Sequence, residues 1–241
     1  MIKFFRHLRY KLMSENKTGR YFKYAIGEII LVVIGILIAL QINNWNEKRK
    51  SISKENDMLS KLVLNLKIDS TYFYDQAEEI KTINDVYNEL YEIGVKGKIV
   101  DSVADRNDVR RLLRYHPITK ENDPFLANKI SNETIRESVL TYFRMLTDLD
   151  VSYSEFADVI RNRMRLHLSK NNIHDLAFQF EKDHSDYFIK NHELIELAKE
   201  NDFQQILFEA SLKLEGVASE LETLKEQNEI LKTIIIKTMN E

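Results

Sequence analysis

Residues 24–47 read YAIGEIILVVIGILIALQINNWNE, and their reading decides the architecture. From Ala25 to Ile42 only Glu28 and Gln41 interrupt a run of Ile, Leu, Val, Ala and Gly. As a helix this run spans roughly 27 Å, close to the ~30 Å hydrocarbon core of a bilayer. Tyr21, Phe22 and Tyr24 precede it and Trp45 follows it, where interfacial aromatic belts are expected. The alternative, a core helix of a soluble protein, accounts poorly for a segment apolar on every face. The stretch is read as a transmembrane helix over 21–46, with Tyr24 and Trp45 as interfacial anchors.

The flanks orient it. Lys3, Arg6, Arg9, Lys11, Lys17, Arg20 and Lys23 precede the span against the single acid Glu15. After it, Lys48, Arg49, Lys50 and Lys54 mix with Glu47, Glu55 and Asp57. The positive-inside rule keeps the N-terminus in the cytoplasm and exports the rest. Cleavage as a signal peptide competes with this. The basic region is long for one, and Leu37-Ile38-Ala39 is not a small-x-small exit, so an uncleaved signal anchor is expected.

Two details refine the anchor. Ile2, Phe5, Leu8 and Leu12 recur at helical spacing with basic residues mostly off that stripe, as in an amphipathic helix lying on an anionic membrane face. A disordered basic tail over 1–20 fits equally. Within the span, Glu28, Gly35 and Ala39 fall within ~20° of one line on a helix. Small residues there allow close helix packing, and an intramembrane acid is a functional hypothesis by default. Glu28 lies only one turn inside the cytoplasmic boundary, near Lys23 and Arg20, which favours structural or interfacial use over ion coupling.

Outward from the anchor, residues 47–241 suffice for one helical domain with a real core. Six glycines and two prolines in the whole chain argue against a β-rich fold. Leu59, Leu62, Leu66, Phe73, Ala77, Ile80, Tyr87 and Tyr91 mark one face of a first helix running to about Tyr91, continuous with the span unless Asn43, Asn44 and Asn46 fray it. Gly94-Val-Lys-Gly97 breaks it. A second helix is expected over Val103–Tyr115, before Pro117, and a short turn at Asp123-Pro124. Ser131 or Asn132 caps a long helix to about Leu168 carrying Ile135, Val139, Tyr142, Phe143, Leu146 and Leu149 inward. Another spans about His174 to Glu200, and Asn201-Asp202 caps the last.

That last helix is heptad-patterned. Leu207, Leu214, Leu221, Asn228 and Ile235 hold one seam position; Ala210, Val217, Leu224 and Leu231 hold the other. A coiled coil joining two copies is one reading. The closing helix of an intramolecular bundle is the other, favoured by Gly216 and the aromatic-rich partner segments. The expected fold is all-α, a transmembrane helix followed by an antiparallel helical bundle.

The segment 23–50, KYAIGEIILVVIGILIALQINNWNEKRK, with MIKFFRHLR and NKTGRYFKY upstream, resembles the N-terminal signature of a family of small membrane proteins from flavobacteria and related Bacteroidota. That family is known as a domain of unknown function. The likeness is close over about the first 50 residues; RNDVRRLLRY, NETIRESVLTYF and NDFQQILFEASLKL are more loosely similar to its helical remainder. The resemblance implies a bacterial inner-membrane protein with an exported helical domain, and supplies no active site.

Chemistry-bearing motifs are sparse. His192-Glu193-Leu-Ile-Glu196 puts Glu where a zinc-protease helix needs its second His. His174, His184 and His192 among Asp175, Asp183, Asp186 and Glu193 read as a solvated face. There is no nucleophile elbow or phosphate loop, and no catalytic residue, metal ligand or cofactor is assigned. No cysteine is present, which removes disulfides and thiolate chemistry, and at net charge −3 there is no nucleic-acid footprint. Arg161-Asn-Arg-Met-Arg165, with His167, suits an acidic partner or lipid headgroups, or else a solvated face paired to nearby acids. The expected role is a non-catalytic interaction or assembly module binding envelope proteins or its own copies. A ligand-binding or sensory ectodomain is the alternative, and an envelope enzyme the least supported.

Overall fold

A computed structural model of the chain describes Tyr10, residues 18–181 and residues 186–240. The amphipathic stripe expected over residues 1–14 lies outside the described residues except at Tyr10, as do Asp183 and His184. The chain divides into two units, Met1–Asp57 and Met58–Glu241. Helix α1, Thr18–Lys96, contributes residues to both, and passes Asn43, Asn44 and Asn46 unbroken.

In the first unit the apolar run is exposed among the described residues. Its large hydrophobic residues from Ile26 to Ile42 are between 46% and 64% exposed. No residue of its most apolar window is buried, so the segment is long and apolar enough to cross a membrane and lacks the protein packing of a core helix. Soluble chains do not leave so continuous an apolar surface in water.

The second unit is a helical bundle with one apolar core. Its long helices are the end of α1 from residue 58, α3 (Glu133–Val159) and α7 (Asn201–Met239). In α1, Leu59, Leu62, Leu66, Asp69, Phe73, Gln76, Ile80, Ile83, Tyr87 and Leu90 are all buried. Their alternating steps of three and four form a seam, and α3 and α7 carry the same spacing. Three such seams facing one axis are the geometry of a left-handed bundle.

Cross-helix hydrogen bonds fix the directions. Asn228 Nδ2 donates to the Leu66 carbonyl at 3.0 Å and Gln204 Nε2 to the Leu90 carbonyl at 3.1 Å, so α7 runs antiparallel to α1. Gln227 bonds Ser138 and Lys213 bonds Glu155, so α7 also opposes α3. Tyr142 meets Asp69 and Tyr153 meets Gln76, so α1 and α3 run the same way. That pairing requires residues 97–132 to return along the bundle. They do so as a crossover that buries Val103, Val109, Leu113, Leu126, Ala127 and Ile130.

The crossover is not the α-helix expected over Val103–Tyr115. It holds a 3-10 turn, Arg106–Arg110, entered through Asp105 at φ 47° and left through extended Arg111. Asn107 turns its side chain to backbone groups elsewhere, competing with helical bonding, and Pro117 holds the preceding residue away from the α region. A short helix, α2 (Thr119–Asn122), and a 3-10 turn, Leu126–Lys129, complete it. The turn expected at Asp123-Pro124 follows α2.

The single helix expected over His174–Glu200 is also replaced. Two short helices occupy that range, α5 (Ala177–Phe180) and α6 (Asn191–Ala198). His174, before α5, and Ile189, before α6, form an antiparallel bridge. Asp175 Oδ1 accepts the Ala177 N–H at 3.0 Å and so opens α5 locally. By contrast, Asn132 caps α3 as expected, its side chain accepting the Ile135 N–H.

Helix α1 ends where Gly97, at φ +70°, lets the chain turn back. Gly94 serves a different purpose: a Cβ there would lie 2.0 Å from the Ala198 carbonyl oxygen and 2.3 Å from Gln204 Nε2. Both atoms belong to one hydrogen bond, since Gln204 Nε2 donates to Ala198 O at 2.6 Å. Gly94→Ala is therefore expected to lower unfolding free energy by ~1–3 kcal/mol through overpacking, read as a reduced denaturation midpoint. Gly216→Ala, with open space around it, should be neutral or stabilising.

Candidate functional site

The residues singled out by sequence fall in two places. Glu28, Gly35 and Ala39 lie on α1 in the first unit, Glu28 half-buried and the other two exposed, with no atom within 4 Å of a Cβ built on Gly35. The Tyr24 side chain lies outside the described residues. Trp45 is exposed, with the Arg49 guanidinium 5.5 Å from its ring centre. In the second unit Leu207, Leu214, Leu221, Asn228 and Leu231 are all buried against the same chain. The seam read as a possible contact between two copies is thus already occupied by α1 and α3. Of the predicted inward residues, Tyr91 instead faces solvent and Ala77 is only half-buried.

Where the three seams meet, each contributes a polar residue at one level. Asp69 of α1 accepts from Tyr142 Oη of α3 at 2.9 Å, and Asn228 of α7 donates to the same hydroxyl at 3.0 Å. Asp69 also accepts the backbone N–H groups of Ile118 and Thr119 at 2.6 and 3.3 Å. It thereby supplies the acceptors that the first turn of α2 lacks. Burial, then the nearby Asp69 carboxylate, pushes the Tyr142 hydroxyl far above its ordinary value, so it stays a donor. A second layer joins Tyr153 Oη to Gln76 Oε1 at 2.9 Å. These layers are closed to solvent, and they set helix register. They offer no access for a substrate.

The open site lies elsewhere, where the crossover, the end of α3 and the segment around α5 converge. Helix α3 does not pass directly into α4 (Arg165–Lys170); a π-helical turn, Ile160–Met164, intervenes. The Arg165 N–H bonds Ile160 O, five residues back. One inserted residue turns everything after it by about 100° around the axis. Within this turn Met164 enters the core while Arg161 and Arg165 line a cleft. Such bulges recur at functional sites.

From the crossover, the 3-10 turn brings Arg110 to the same cleft. Arg165 Nε and Nη2 both donate to the Arg110 carbonyl, at 3.3 and 3.2 Å. Arg110 Nη1 lies 2.6 Å from His174 Nε2, and its guanidinium sits 5.5 Å from the Phe188 ring centre. Burial, then the Arg110 charge, lowers His174, so the neutral imidazole accepts from Arg110. Asn107 fastens the opposite wall: its Oδ1 accepts the Phe188 and Ile189 N–H groups at 3.0 and 3.2 Å. Arg106 adds a bond to the Ile189 carbonyl and stacks 3.6 Å over Tyr187.

The result is an open cleft of about 860 Å³ with arginine as its dominant charge. Burial, then Arg165, pulls Arg110 below its ordinary value; burial, then Arg161, does the same to Arg165. Of the acids present, Asp108 is paired to Arg111 at 2.7 Å and Asp175 accepts the Ala177 N–H at 3.0 Å. The sequence signal for this site was the Arg161–Arg165 run; Arg110 and His174 were not placed with it. Among the described residues no group of three or more His, Cys, Asp or Glu could hold a metal ion.

Comparison with curated proteins finds no match, and none is found among solved structures. Residues 28–135 match a family of unknown function (DUF6090). The matched stretch begins at Glu28 inside the apolar run, follows α1 and the crossover, and ends as α3 begins. The chain is similar to that family over most of the apolar run, the rest of α1 and the crossover.

Proposed function

We propose that the protein is a single-pass bacterial inner-membrane protein, an uncleaved N-in anchor carrying a periplasmic helical domain that recognises other molecules without catalysis. The layout is a basic cytoplasmic segment over 1–20, a span over 21–46 and an exported bundle over 47–241. The observation that carries it is the contrast between the two units. Among the described residues no part of the most apolar window is buried, whereas the bundle buries its own core and its heptad seam. The hydrocarbon of a bilayer is the medium that makes so continuous an apolar surface favourable. Other envelope proteins, or further copies acting through surfaces other than the α7 seam, are the proposed partners. A ligand-binding ectodomain signalling through a separate partner is the second reading, and the arginine-lined cleft favours it.

Fusing alkaline phosphatase to the C-terminus tests the topology. The fusion is expected to be active, and a fusion at residue 20 inactive. A stably made but inactive C-terminal fusion overturns the orientation.

A further inference from the structure

We propose that the cleft between the crossover, the π-helical turn and the α5 segment is a binding site for an organic phosphate, its anion held by Arg110, Arg161 and Arg165. The apolar part of the ligand lies against Leu176 and Phe178. This assignment does not rest on membrane placement.

Three features of the page converge on it. First, two of the three guanidiniums are ordered before any ligand arrives. Arg165 is fixed by two bonds to the Arg110 carbonyl, and Arg110 by His174 and the Phe188 ring. All of these partners are neutral, so orientation is achieved without cancelling charge. Among the described residues, no carboxylate lies within ion-pairing distance of Arg110, Arg161 or Arg165, although Arg163, in the same turn, pairs with Glu209. Second, Arg161 and Arg165 stand four residues apart, on one side of the helical turn, and both line the cleft beside Arg110. Third, the walls are mixed, with Leu112, Leu176, Phe178 and Phe188 beside the arginines, and the volume lies in the range of small-molecule sites.

The chemistry selects the anion. Planar guanidinium forks match phosphate oxygens bidentately. A single carboxylate brings one charge to three guanidiniums, whereas a phosphate monoester brings nearly two and a third acceptor oxygen. The alternating basic run therefore acts as half of a site whose other half, Arg110, comes from the crossover 51 positions earlier in the chain.

Calorimetric titration of the purified full-length protein in a neutral detergent tests the proposal. Phenyl phosphate is the soluble probe, and micelles doped with short-chain phosphatidic acid present the same phosphate monoester as a lipid headgroup. Saturable binding of either probe is expected, weakened at least ~10-fold by Arg161→Gln and further by Arg161→Glu; ~10-fold corresponds to about 1.4 kcal/mol. Arg161 is exposed, so these variants should retain wild-type helicity and melting. Arg110→Gln is the harsher variant, since it disturbs the His174 contact. Lys213→Gln, a basic residue on the bundle surface paired with Glu155, is the control and should leave affinity unchanged. Binding of phenyl phosphate alone identifies a soluble ester as the ligand, and binding of the doped micelles alone identifies a headgroup; either supports the site. Failure of the wild type to bind both probes overturns it. So does an equal loss in the Lys213→Gln control, which would mean diffuse surface attraction.

Discussion

Replacing Leu31, Ile34 and Leu37 together by arginine is expected to release the full-length protein from membranes. On an insertion scale each arginine near a helix centre costs about +2.5 to +3.5 kcal/mol, and each lost Leu or Ile about 0.3–0.6 kcal/mol more. The triple change thus makes insertion about 8–12 kcal/mol less favourable, enough to cancel what the remaining apolar residues contribute. All three side chains are more than two-fifths exposed and belong to the first unit, outside the apolar core of the bundle. The assay is extraction of membranes with alkaline carbonate. Wild type should remain in the pellet, as should the variant with valine at the same three positions, while the arginine variant moves to the soluble or aggregated fraction. An arginine variant that stays carbonate-resistant would show that the run is not the anchor.

The second large effect is expected inside the bundle. Asp69→Ala removes the acceptor of the Ile118 and Thr119 N–H groups and of the Tyr142 hydroxyl. The Thr119 and Tyr142 donors then remain buried and that of Ile118 half-buried, and the expected loss is ~3–5 kcal/mol, since breaking such a network costs the desolvation of whatever is left behind. Asp69→Asn keeps one carbonyl oxygen but turns an NH2 toward donors, and should fall between wild type and alanine. The denaturant midpoint followed by circular dichroism in mild detergent reads both. An alanine variant within ~1 kcal/mol of wild type would mean that Asp69 is not what holds α2 and α3 in register.

These two sites differ in how visible they are from sequence. The long apolar run is legible because length and composition along a single segment suffice to mark it, and nothing distant modifies them. The α7 heptads are legible for a related reason: every seam position except Asn228 is apolar. The α1 seam was only half legible. Asp69 and Gln76 occupy seam positions as fully as their neighbours, but polar residues there interrupt the apolar count, and only Tyr142, Tyr153 and the α2 backbone reveal why they are tolerated. Ile83 and Leu90 were lost from the reading with them.

The two failed helices show the limit of local pattern. Val103–Tyr115 and His174–Glu200 contain good helix formers, yet their backbones bond to one another through Asn107, Arg106 and Asn191. No single stretch of sequence encodes that exchange. The cleft was half legible by the same logic: the arginine run of the π-helical turn and α4 is local, whereas its completion by Arg110 depends on a crossover whose path follows from α1 and α3 running the same way.

The bond from Asn228 to Leu66 joins positions 162 apart in the chain. Such separations slow folding, because a long loop must close before the contact repays it. A ribosome completes α1 and α3 long before it completes α7, so the apolar seams of Leu59, Leu62, Leu66, Val139 and Leu146 emerge with their covering helix still unsynthesised. During that interval the nascent domain is a target for proteases and for wrong partners. Its safety in the cell rests on the timing of its last forty or so residues.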